Sequence, residues 1–143
     1  MSTGLDHEQI EMWEYWERPV ISTRATPINQ LPAIFAETMG QKPNPSLSSK
    51  LIMEEYAEWY EALGCAPLNK EGDVAELKEL ADLIYVIYGY ANAMGWDLDE
   101  AVRRVHENNI GRCIQPDGSI KRREDGKIEK NKDYPKVSLE DLV

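Results

Sequence analysis

Apolar residues recur at helical spacing through most of this chain, and punctuation residues divide the pattern into segments. Residues 6–17 place Ile10, Trp13 and Trp16 on one stripe, and Pro19 should end that helix. Residues 20–28 read as a loop. A helix is expected over Gln30–Met39 with Gly40 as its stop, and QKPNPS then breaks the pattern. A longer helix is expected over Leu47–Leu63, with Ser46 as N-cap and Gly64 as the C′ residue. Asp73 and Glu76 form a capping box that should open a helix running to Met94, where Gly95 stops it. A second box, Asp97 with Glu100, should open a helix ending near Gly111.

Beyond Gly111 the helical period is lost. QPDGS and EDGK are turn sequences, so IKRR and KIEK should form a small hairpin, and SLEDL one helical turn. The expected fold is all-α: one domain over 1–143, with an antiparallel helical bundle at about 30–111 and a short irregular, basic segment over 112–143. The stretch from Leu80 to Met94 is apolar almost all round, which predicts burial on every side and a subunit interface on one face. A homodimer or tetramer is therefore expected.

Composition narrows the class. The net charge of −10 argues against stable nucleic-acid binding. That charge is uneven: residues 1–100 hold 6 Lys/Arg against 18 Asp/Glu, whereas residues 101–143 hold 10 against 8. An acidic body and a basic tail suit either a polyanionic ligand, with metal-loaded carboxylates at one end and cationic side chains at the other, or a solvated acidic surface and a mobile tail, the commoner meaning of such charge runs. No run of 18 apolar residues occurs and the N-terminus has no apolar signal core, so neither membrane association nor secretion is expected. Cys65 and Cys113 lack metal-type spacing, which fits a reduced cytoplasm.

Two acidic pairs carry the candidate chemistry: Glu55 with Glu58, and Glu79 with Asp82. Each pair is spaced i, i+3 on an expected helix, so its carboxylates share one face. The 20 residues between Glu58 and Glu79 allow the second helix to return beside the first. Asp82 lies within the apolar stretch, where an uncompensated carboxylate is costly, and Lys78 is expected to point to another face. A divalent cation is then the economical partner. An all-oxygen donor set favours Mg²⁺, with Mn²⁺ able to substitute, and four carboxylates have room for more than one ion. A di-iron bundle would need Glu-x-x-His on two helices, and Arg103 rather than Glu stands three residues before His106.

The sequence Glu54-Glu55-Tyr56-Ala57-Glu58 followed by Glu79-Leu80-Ala81-Asp82 resembles the EExxE…ExxD signature of the MazG-like all-α nucleoside triphosphate pyrophosphohydrolases. FAETMGQKPNPSLSSKLIMEE resembles that group's first helix, breaker loop and second helix. VHENNIGR followed by DGSIKRREDGKIEK is similar to the C-terminal part of phage and bacterial members. The likeness spans roughly residues 31–135 and leaves the first 30 uncovered. It implies a Mg²⁺-dependent conversion of a nucleoside triphosphate to monophosphate and pyrophosphate in the cytoplasm, or the host cytoplasm for a phage protein. It also implies Glu55, Glu58, Glu79 and Asp82 as metal ligands, with Glu54 and Glu55 catalytic. Asn109 is implied at the base or sugar and Arg112 at the phosphates; Arg112 stands where the group usually has Lys. Lys127 and Lys130 are further phosphate candidates, and Arg122 and Arg123 weaker ones. Likeness to phage members, including a MazZ-like subgroup, points to a purine such as dGTP or GTP. Relatives acting on dUTP, dCTP or phosphoribosyl-ATP share the same carboxylates. A helical interaction module without activity is the alternative of another class. Trp13, Trp16, Trp59 and Trp96 could stack on a base, although aromatic residues at helical spacing commonly serve a core.

Overall fold

The computed structural model describes residues 24–143; the helix expected over residues 6–17 lies outside them. Among the described residues there are four α-helices and no β-strand, so the fold is all-α. The chain divides into two compact units, 1–42 and 43–143.

In the first unit a 3₁₀ turn at Ile28–Gln30 leads into α1, Leu31–Thr38. Pro32 sits in its first turn, where its missing N–H costs no intrahelical bond. The helix ends in a Schellman pattern, with the Gly40 N–H donating to Glu37 O and the Gln41 N–H to Ala36 O.

In the second unit α2 covers Pro45–Cys65 and α3 covers Lys70–Met94, and the two pack along each other. Their boundaries differ from the expected ones. Asn44, rather than Ser46, caps α2 by accepting from the Leu47 N–H, and Pro45 occupies the first turn. The helix runs through Gly64 and stops at Ala66, whose extended ψ of 140° is the conformation that the following Pro67 imposes. Asn69, four residues before Asp73, caps α3 by accepting from the Gly72 N–H at 3.0 Å. Gly72 is buried against the Pro67 carbonyl, where a Cβ would overlap it, so the connection folds tightly onto the first turn of α3.

The far end of α3 is as expected. Gly95 has φ 75°, a left-handed conformation that glycine adopts without steric cost. α4, Leu98–Cys113, follows, with the Asp97 carboxylate accepting from the Glu100 N–H at 3.0 Å. It extends two residues beyond the expected end at Gly111. The Tyr88 hydroxyl of α3 bonds to Asp99 in the first turn of α4.

The chain after α4 folds back along that helix. The Asn131 N–H donates to Arg112 O, Asn108 Nδ2 to Pro135 O, and Arg104 to Ser138 O and both oxygens of Asp141. Tyr134 lies directly over Gly111. The expected hairpin is reduced to one antiparallel bridge, Arg122 to Ile128, around a turn at Gly126. SLEDL does end in a 3₁₀ turn, Glu140–Leu142.

Burial departs most from expectation. Ala91 is the one residue besides Pro32 and Gly72 that is buried among those described. Leu80 and Ile84, expected inside, are 42% and 52% exposed. The apolar girdle of α3 is present, but Leu80 and Ile84 are not enclosed among the described residues.

Candidate active site

α2 and α3 bring Glu55, Glu58 and Glu79 together, with one carboxylate oxygen of each within 4.8 Å of the others. Glu55 and Glu58 are one turn apart on α2, and Glu79 comes from α3, so the cluster depends on the pairing of the two helices. Oε2 of Glu55 and Oε2 of Glu79 are shielded from solvent and receive no hydrogen bond. Burial first, then the charges of Glu58 and Asp82, push the Glu55 carboxyl above its ordinary value. Three acids held this close, with two oxygens dry and donorless, want more positive charge than the single ammonium of Lys78, 3.6 Å from Glu79 Oε1, supplies among the described residues. All donors are carboxylate oxygens, and the residues therefore fit a hard divalent cation.

Asp82 behaves differently. Its Oδ2 is 2.6 Å from Lys78 Nζ, an i, i+4 pair on α3, and Lys78 Nζ is also 3.6 Å from Glu79 Oε1. The expectation that Lys78 points to another face is therefore wrong. So is the burial of Asp82, whose side chain is 37% exposed despite its apolar neighbours in sequence. The apolar run spans more than one helix face, and Asp82 uses an open one. The i, i+4 spacing of Lys78 and Asp82 was a readable signal for this pair.

The remaining candidates fall elsewhere. Glu54 is exposed on α2, next to Glu55 but outside the cluster. On α4, Arg112 Nη2 donates to Asn109 Oδ1 at 2.5 Å, and Arg112 Nε is shielded with no acceptor. The two residues thus form one unit with an unused donor. Arg123 is held by Asp125, at 2.5 and 3.2 Å, which counts against the phosphate role considered for it. Arg122 is exposed at the bridge, Lys127 in the turn that follows Asp125, and Lys130 just beyond. Trp59, one turn after Glu55 on α2, keeps its indole N–H shielded and without an acceptor. Trp96 meets the edge of Tyr90, ring centroids 5.7 Å apart, and so has a packing role.

An all-α fold with glutamates converging from paired helices suits a hard divalent cation. The family model for phosphoribosyl-ATP pyrophosphohydrolase matches residues 25–109, and the chain belongs to that family, part of the MazG-like superfamily. The match includes every carboxylate of the two acidic pairs and Asn109; Arg112 and the segment after it lie beyond it. No curated protein matches the chain. The protein is accordingly a pyrophosphohydrolase that acts on a phosphoanhydride bond of a nucleotide-like substrate. Among the described residues no helix is long and apolar enough to cross a membrane.

Proposed function

We propose that the protein is a Mg²⁺-dependent diphosphatase that hydrolyses a purine nucleoside triphosphate to the monophosphate and pyrophosphate. The observation that carries this reading is the Glu55–Glu58–Glu79 cluster with its two shielded, donorless oxygens. These three glutamates, joined by Asp82, would hold the cation. When bound, a divalent cation neutralises phosphate charge and lowers the pKa of water.

The chain's own residues supply the rest of the reading. Glu55, which the resemblance marks as catalytic, would accept a proton from the attacking water. Glu54 adjoins it and would orient that water. Water adds at the α-phosphorus, the bond to the bridging oxygen breaks, and pyrophosphate leaves with the electron pair. Asn109 would bind the base or sugar. Arg112, with its free Nε–H, would bind the phosphates, helped by Lys127 and Lys130.

Similarity to phage-type members supports dGTP or GTP as substrate. The family match supports phosphoribosyl-ATP as the second reading, itself a purine triphosphate. The exposed Leu80, Ile84 and Tyr85 of α3 support a homodimer or tetramer. Incubation with a panel of purine and pyrimidine triphosphates and phosphoribosyl-ATP, with Mg²⁺, tests the function. Monophosphate and pyrophosphate should appear together, fastest with dGTP or GTP. Release of orthophosphate alone, or no turnover of any of them, would refute it.

A further inference from the structure

We propose that Lys78 is an exchangeable counter-ion. It holds Asp82 until a divalent cation takes that carboxylate, and its released ammonium then binds a substrate phosphate. This rests on the metal-site reading above and extends it to a residue outside the acidic motif.

The geometry sets up the exchange. Lys78 Nζ sits 2.6 Å from Asp82 Oδ2 and 3.6 Å from Glu79 Oε1, so one ammonium touches two of the four acidic side chains. Among the ion pairs of the described residues, these are the ones that reach those four carboxylates. Asp82, one turn from Glu79, lies outside the three-glutamate group while it holds Lys78, yet its charge still reaches Glu55.

Neither partner is locked in place. The Lys78 side chain is 64% exposed and that of Asp82 37%. An exposed i, i+4 pair is weakly held, so the carboxylate can turn to a better-charged partner with little loss. A divalent cation beside Glu79 is such a partner. Lys78 would then lose Asp82 as its acceptor while its flexible stem still ends beside Glu79. A triphosphate chain is polyanionic, and an ammonium with three donors is suited to its non-bridging oxygens. The charge sequence is consistent at each stage: Lys78 offsets excess carboxylate before loading and excess phosphate afterwards.

Two properties of the Lys78→Met variant should move in opposite directions. Calorimetric Mn²⁺ titration of the full chain without nucleotide should show binding about two- to fivefold tighter than wild type, the worth of an exposed ion pair. In saturating Mn²⁺, a non-hydrolysable α,β-methylene triphosphate should bind about tenfold more weakly, the worth of a charged hydrogen bond. Lys78→Arg should restore analogue binding. A purely structural ion pair predicts no loss of analogue binding, and unchanged analogue binding or weaker Mn²⁺ binding in Lys78→Met would overturn the proposal. Glu55→Gln separates the two levels of the argument. If it binds Mn²⁺ like wild type, the metal-site reading fails and this proposal with it. If it loses Mn²⁺ while Lys78→Met matches wild type, the Lys78 role alone is refuted.

Discussion

Replacing Glu55 by Gln should stabilise the metal-free protein while removing its response to metal. The substitution keeps the side chain's size and deletes one charge from a cluster whose oxygens lie within 4.8 Å of each other. At that separation, even with water-like screening, each pair of charges repels by about 0.9 kcal/mol. Loss of Glu55 removes its repulsions with Glu58, Asp82 and Glu79, about 2 kcal/mol on that scale, and side-chain relaxation in the wild type brings the expected gain to about 1–2 kcal/mol. For a chain of this size that corresponds to a rise of about 3–6 °C in Tm. Melting followed by circular dichroism in EDTA at low ionic strength measures it, because salt would screen the effect.

The pH dependence has a defined sign. The Glu55 carboxyl is raised above 4.5 in the folded protein, so the folded state binds the extra proton. Wild-type stability should therefore rise as pH falls through the raised value and level off near 4.5. Glu55→Gln should lack that rise. Mn²⁺ should increase the Tm of wild type and leave the variant unmoved. A variant that melts at or below the wild-type temperature in EDTA, or responds fully to Mn²⁺, would refute the reasoning.

Two other predictions concern the C-terminal segment. Gly111→Ala would drive a Cβ into the Tyr134 ring, costing about 1–3 kcal/mol as overpacking. Limited proteolysis should then cut within residues 115–143 faster, and adding Tyr134→Ala should recover part of the Tm; equal Tm for single and double variants would count against the contact. The two-pronged bond from Arg104 holds the Asp141 carboxyl below its ordinary 3.8. A depressed carboxyl keeps its contribution above 3.8 and loses it only as pH falls through the lower folded value, so the protection of amides near Asp141, measured relative to their intrinsic exchange rate at each pH, should hold at pH 4 and fall below it, whereas in Arg104→Gln it should be low throughout.

The sequence revealed most where one local signal acted alone. Gly95 and the Asp97–Glu100 box had no competitor nearby, and both ends appear where expected. Where two signals competed, tertiary packing chose. Asn69 and Asp73 could each cap α3, and the fit of Gly72 against Pro67 favours the earlier start. Gly64 looked like a stop, but Pro67 restricts Ala66 and so sets the true end two residues later. At the site, the i, i+3 spacing and the return of the second helix predict a meeting of four carboxylates; Glu55, Glu58 and Glu79 converge, and Asp82 lies outside that group. The exposure of Asp82 was not legible, because it depends on which faces of α3 are covered rather than on the residues beside it in sequence. Arg112 and Asn109 were picked out separately by resemblance; that they bond to each other follows from their spacing of three on α4.

The short link between α2 and α3 also sets an angular reference. Asn69 and Gly72 fix where α3 begins, and every residue beyond is placed by counting turns from there. A helix advances about 1.5 Å and 100° per residue, so one residue inserted between Gly72 and Glu79 would swing Glu79 about a quarter turn away from α2. Four inserted residues would bring it to within about 40° of its original direction, but roughly 6 Å further along the axis. The length of this stretch is therefore constrained by rotational phase even where its side chains are exposed. Insertions can accumulate in the turns after Cys113 without disturbing that phase.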